Sequence, residues 1–86
     1  MKVLIPSALR SYTEQQVWVE AAGDCLGEVL DDLDRQYPGI RFRMVDEQSR
    51  IRRHIRMFAG GEQLAGLDAP LTGTTELLVV QALSGG

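Results

Sequence analysis

One helical stripe governs what this chain can fold into. Leu26, Val29, Leu30, Leu33 and Tyr37 recur at the spacing of a single helix face, with Glu28, Asp31, Asp32 and Asp34 off it. It is the only such stripe in the 86 residues. An amphipathic helix of about three turns must bury its apolar face on something, and the strand-like segments are the only candidate. The spacing therefore predicts a helix packed on one face of a sheet, an α+β architecture. Asp24 stands where a carboxylate can cap the first turn, and Pro38-Gly39 stops the helix.

The strands are read from alternation. Val3-Leu4-Ile5 stops at Pro6, which cannot donate to a ladder. Ser7 to Gln15 is polar and turn-like. Gln16 to Glu20 follows as a second strand, with Val17 and Val19 on one face and Trp18 on the other, and the two strands should pair as a hairpin. Ile40 to Arg53 mixes arginines with Phe42, Met44 and Val45 around an acidic turn at Asp46-Glu47 and carries no clear element. His54 to Ala59 reads as a third strand with Ile55, Met57 and Ala59 inward, closed by a glycine turn at Gly60-Gly61. A loop through Leu64, Leu67, Pro70 and Leu71 reaches a turn at Gly73, and Glu76 to Gln81 is the final strand. The helix stripe should pack on Val3, Ile5, Val17, Val19, Leu77 and Val79.

Composition narrows the function. A chain of 86 residues is one domain that buries roughly two-thirds or less of its unfolded surface, with little room for an enclosed active site. A net charge of -3 argues against general affinity for nucleic acid or anionic membrane. Cys25 is the only cysteine, so neither an internal disulfide nor a thiolate zinc site can form, and a reducing compartment is the simpler expectation. The apolar part of Met1 to Pro6 is too short for a secretory signal, and no stretch approaches the roughly 20 apolar residues of a membrane span. The expected location is cytoplasmic.

The sequence closes on Ala82-Leu83-Ser84-Gly85-Gly86. A terminal glycine pair has no turn to make and no following element to connect, so neither usual use of glycine explains it. Two residues without Cβ atoms do make a thin thread that can enter a narrow channel and present a free carboxyl. With a pKa of about 3.5 that carboxyl is ionised and a poor electrophile, so it has to be activated, as an acyl-adenylate formed with ATP, before a nucleophile can attack. A sulfur nucleophile then gives a thiocarboxylate, and an enzyme cysteine followed by an amine gives a conjugate. The five residues after Gln81 reach about 17 Å when extended.

The order strand, strand, helix, loop, strand, strand and Gly-Gly tail resembles the β-grasp fold of ubiquitin-like proteins, in particular the MoaD/ThiS sulfur-carrier family and its members in alternative cysteine and sulfur-metabolite biosynthesis. The resemblance rests on Val3-x-Ile5-Pro6 with Leu9-Arg10, Tyr37-Pro38-Gly39-Ile40, Arg50-Ile51-Arg52 before a strand and glycine turn closed by Glu62, and Leu83-Ser84-Gly85-Gly86. It spans the whole chain. Gly60-Gly61 replaces the Asn-Gly turn common in the family, and Gln81 stands where a proline often precedes the tail.

The resemblance implies a mixed sheet of four to five strands in a domain over 1–81, followed by a flexible tail over 82–86. It implies no bound cofactor and no enzyme activity, with ATP used by a ubiquitin-activating-type adenylyltransferase. The other implied partners are a sulfur donor enzyme, a downstream sulfur-accepting synthase and, where residues follow the glycines, a trimming metalloprotease. Gly86 would carry the chemistry, with Leu83 docking the tail and Ser84 and Gly85 completing the thread.

If Leu77 and Val79 face the helix, then Leu78, Val80 and Phe58 face out, and a contiguous outward apolar patch marks a contact surface. In ubiquitin-like proteins the corresponding sheet face meets the activating enzyme. Six arginines between Arg41 and Arg56 read as a solvated or partner-facing surface rather than a nucleic-acid site, because Asp46 and Glu47 interrupt them and only Phe42 could stack on a base. His54 has no ligand cluster at metal spacing. Cys25, near the helix start, reads as packed, with a lowered pKa the alternative. The leading expectation is a sulfur carrier. Its rival is a protein modifier joined through Gly86 to target lysines, for which the chain's single lysine, Lys2, disfavours polymer building. A β-grasp interaction domain without terminal chemistry is the third reading.

Overall fold

A computed structural model describes residues 1–82 of the chain. Five strands form one mixed sheet in the order β2-β1-β5-β3-β4, where β1 is Lys2–Leu4, β2 Trp18–Glu20, β3 Ile55–Ala59, β4 Glu62–Gln63 and β5 Glu76–Gln81. The central β1–β5 pair is parallel and the other pairs are antiparallel. A helix, α1 (Leu26–Gln36), and a shorter one, α2 (Ile40–Met44), make the second layer. The α+β expectation holds, and the sheet has five strands, the larger of the two numbers expected. No helix among the described residues is long and apolar enough to cross a membrane.

The stripe goes where its spacing demands. Leu26, Val29, Leu30 and Leu33 are fully buried, in one core with Val3, Ile5, Val19, Ile55, Met57, Leu77 and Val79 from the sheet side. Ile40 and Met44 of α2 join that core, so a segment without a clear period in sequence completes the helical layer. Asp34 builds the junction: its Oδ1 accepts the amides of Gly39 and Arg41, both at 3.1 Å. Tyr37 is the residue that ends α1, and it is half-buried against the core.

The structure corrects three local expectations. The 3-10 helix Ser7–Thr13 replaces the turn-like stretch expected after Pro6. It ends in two left-handed residues, Glu14 (φ 53°) and Gln15 (φ 67°), which leave Val17 in a bend ahead of β2. Strict alternation therefore starts only at Trp18, and Val17, expected in the core, is 41% exposed. Asp24 does not cap α1 with its side chain; Cys25 holds the cap position. The first helical amides of Leu26 and Gly27 donate instead to the carbonyls of Ala69 (3.0 Å) and Leu67 (2.8 Å), and Glu28 reaches back to the Asp24 amide at 2.8 Å. The loop between β4 and β5 thus supplies the cap, a long-range partner that local sequence cannot reveal.

Gly60 (φ 59°) and Gly61 (φ 84°) form the two-residue turn between β3 and β4, where Ala59 opposes Glu62. Two successive positive φ values are what such a hairpin needs, and glycine supplies them without steric cost. Gly23 has a different reason: a Cβ there would lie 2.7 Å from Cβ of Glu28 and from the Val29 amide nitrogen. It lets the chain leave β2 tight against the first turn of α1.

Candidate docking face and tail root

Strand β5 alternates between the two faces of the sheet. Leu77 and Val79 are fully buried under α1, which turns Leu78 and Val80 outward, where both are half-buried. Phe58 opposes Leu78 from β3, Leu4 opposes it from β1, and Trp18 opposes Leu4 from β2. One apolar row, Trp18-Leu4-Leu78-Phe58, therefore crosses four strands on the face away from the helices. Trp18 is the most open of the four at 38% exposure. Phe58, Leu78 and Val80 do share this face, as alternation required. Alternation with inward Val3 and Val19 puts Leu4 and Trp18 on the outer face, but only the pairing of β1 with β2 and β5 brings them into the row.

Charged residues bound the row. On the side remote from the tail, Glu20, Lys2 and Glu76 stand opposite one another across three strands, and the Lys2 ammonium lies 4.9 Å from the centre of the Trp18 ring. On the tail side, Val80 pairs with Arg56. A shallow groove of about 490 Å³ at the remote end of β5 is lined by Phe58, Gly60, Gly61, Thr74 and Glu76 among others. Its walls are the ends of β3 and β5 and the turns beside them, and Glu76 is the one titratable residue among its lining.

The tail leaves the sheet at a defined point. Gln81 opposes Ile55, and the Ala82 amide donates to the His54 carbonyl at 2.7 Å, one ladder bond past the strand. Beside this root lies a second groove, of about 310 Å³, lined by Leu9, Phe42, Arg43, Arg52, His54 and Gln81. Arg52 is held there by its own Nε, which donates to the Phe42 carbonyl at 2.8 Å, and its guanidinium covers the Phe42 ring at 4.7 Å. Leu83, Ser84, Gly85 and Gly86, the tail assigned from sequence, lie outside the described residues. Cys25 is half-buried, bridged to Pro70.

Two carboxylates outside this face titrate abnormally. Asp32 is held below the usual carboxylate range, first by the Ala22 amide and then by Arg35. Asp46 is held down chiefly by the Arg50 amide, opposed in part by desolvation and helped by the Gln48 amide. Both secure local structure, since each accepts backbone amides across a connection.

Comparison with known proteins agrees with this geometry. No family model matches the chain. The sulfur carrier protein CysO of Mycobacterium tuberculosis is 33% identical over 98% of this chain and 96% of its own length, and the same holds for that of Mycobacterium bovis. Among solved structures, the BexX/CysO complex of Amycolatopsis orientalis superposes with a TM-score of 0.87 at 32% identity, covering 99% of this chain and 98% of that one. CysO of M. tuberculosis gives 0.88 at 31% identity over 95% and 98%. SAMP1 of Haloferax volcanii gives 0.75 at 26% identity over 100% and 98%. The strand order and the near full-length similarity to CysO converge: the chain belongs to the β-grasp sulfur carrier proteins related to CysO.

Proposed function

We propose that Gly86 is the working residue of this sulfur carrier. Its carboxylate attacks the α-phosphorus of ATP in an adenylyltransferase of the ubiquitin-activating type, releasing pyrophosphate. Sulfide supplied by a sulfur donor enzyme, HS−, then adds to the acyl carbon, and loss of AMP and of the thiol proton leaves a thiocarboxylate. In a downstream synthase the thiocarboxylate sulfur displaces a leaving group from the acceptor to form a thioester, and hydrolysis of that thioester releases the thiol product and returns the carboxylate. The domain contributes docking and reach rather than catalysis.

The observation that carries this reading is the exit of β5 at Ala82, with Leu83-Ser84-Gly85-Gly86 beyond it and an outward apolar row beside it. An apolar face next to a thin thread suits a protein that is held by its sheet while its terminus enters a partner's site. The solved complex of a related CysO with BexX adds that a relative of this fold docks on another protein.

The test is mass spectrometry after incubation with the cognate activating enzyme, ATP and a sulfur source. The intact chain should gain the mass difference between sulfur and oxygen, mapped to Gly86, and deletion of Gly86 should abolish the gain. No gain with an enzyme proved active on another carrier would overturn the assignment.

Similarity to SAMP1, a small archaeal modifier protein, supports a second reading as a conjugated modifier. The amines available for self-conjugation are constrained. The terminal ammonium of Met1 donates to the Ala21 carbonyl at 2.8 Å and lies 3.4 Å from Glu20, with its side chain only 5% exposed. Lys2, the sole lysine, sits on the Trp18 ring. Single attachment to other proteins fits this arrangement, and it would be seen as slower-migrating adducts linked through Gly86.

A further inference from the structure

The charge of this chain is distributed unevenly. Its net charge is -3, yet residues 41–56 carry six arginines against Asp46 and Glu47, a local balance of +4. Arg35, Arg41 and Arg50 each lie within 3.5 Å of an aspartate oxygen. Among the described residues, Arg10, Arg43, Arg52, Arg53 and Arg56 lie in no such pair, and the last four belong to the segments that border the tail root. Arg43 and Arg52 line the groove beside Gln81. Arg53 precedes His54, whose carbonyl takes the Ala82 amide, and Arg56 opposes Val80.

Two of the four are fixed in place. Arg52 is pinned by the Phe42 carbonyl and ring, and Arg56 by the carbonyls of Ile55 and Arg53. A guanidinium has five N–H donors, so each keeps several for a partner at reduced entropic cost. Clustered cations outside close ion pairs repel one another in the free protein, and a partner of opposite charge relieves that repulsion.

We infer that Arg43, Arg52, Arg53 and Arg56 form a basic collar around the tail root that docks on a carboxylate-rich protein surface at the mouth of the site receiving the tail. This rests on the reading that the tail is delivered to a partner. Nucleic acid suits the collar poorly, because the one ring that could stack on a base, Phe42, already has a face covered by Arg52. An acidic rim would draw the collar in while the apolar row seats against the partner, raising the association rate more than the lifetime of the complex.

The test has two arms. The isotopically labelled full chain is titrated with a hexaglutamate peptide at low salt and followed by amide NMR. Shifts should concentrate at residues 43, 52–54 and 81–82, and affinity should fall about tenfold in Arg43→Glu/Arg53→Glu but within about twofold in the control Arg35→Glu. Arg43 and Arg53 are exposed, so the double variant should fold. Shifts spread over the whole surface, equal losses in both variants, or equal binding of a dT12 oligonucleotide would overturn the collar. In the second arm, the double variant should associate with the activating enzyme about tenfold more slowly, with little change in dissociation and with normal thiocarboxylate yield at saturating enzyme. Unchanged association with a normal yield would overturn the collar and leave the carrier function standing. Peptide mapped to the collar with no thiocarboxylate from wild type would support the collar and overturn the function proposed for Gly86.

Discussion

Leu30 lies at the middle of α1 with no exposed surface, enclosed by both layers of the domain. Truncation there removes buried methyl groups and leaves a cavity that a small core cannot close without moving the helix. Leu30→Ala should therefore cost about 2 to 5 kcal/mol, read as a lower urea midpoint with an unchanged slope. A loss well under 1 kcal/mol would mean that the site collapses around the smaller side chain. The three leucines and one valine of this stripe were legible because helical period and burial coincide in them. Val17 was not: its exposure follows from the left-handed pair Glu14 and Gln15, neither of which is a residue type that announces positive φ. Asp24 misled for a related reason, since the α1 cap comes from Leu67 and Ala69, about forty residues further along the chain.

At the level of elements, β5 joins every part of the proposed mechanism. It pairs with β1 on one side and β3 on the other, buries Leu77 and Val79, presents Leu78 and Val80, and hands the chain to the tail at Ala82. Its limits were readable because an apolar run, Leu77 to Val80, is closed by Glu76 and Gln81, whereas α2 was hidden by arginines that occupy alternate positions of a five-residue helix. The partners of β5 were also partly hidden. Sequence order cannot tell that Leu4 and Trp18 extend the outward row, because that depends on the parallel pairing of β1 with β5. Val80→Asp separates the two faces. Val80 points outward beside Arg56, so a carboxylate there meets water and a guanidinium, and the melting temperature should fall by only a few degrees. Affinity for the activating enzyme should drop at least tenfold, about 1.4 kcal/mol, by calorimetric titration. Val79→Asp, which places the same charge in the core, should prevent folding. Parallel losses of folding and binding in Val80→Asp would remove the docking role from this face.

Across the whole molecule, the sheet and the helical layer are tied by carboxylates that respond to acid. Asp32 on α1 accepts the Ala22 amide at 2.9 Å, the Arg35 guanidinium at 3.0 Å and the Gln36 amide at 3.3 Å, fastening the helix to the segment that leaves β2. Asp46 accepts the amides of Gln48 and Arg50 at 2.9 and 3.0 Å and closes the turn after α2. Both carboxyls titrate below their ordinary value in the folded state. In the unfolded chain they take up protons near pH 4, so their contribution is complete above that value. It is lost as the pH falls from about 4 through the lower folded-state values, where the folded form must also be protonated. Stability measured by urea unfolding should therefore decline over that acid window. Asp32→Asn should lower stability at neutral pH and flatten the acid decline, because the amide keeps an acceptor oxygen but has no charge to titrate. The outward row of Trp18, Leu4, Leu78 and Phe58 has no carboxylate within it, so amide exchange should accelerate first in α1 and in the turn at Asp46, and last in β1 and β5. An acid decline equally steep in Asp32→Asn and wild type would remove Asp32 from the effect and leave Asp46 as its source.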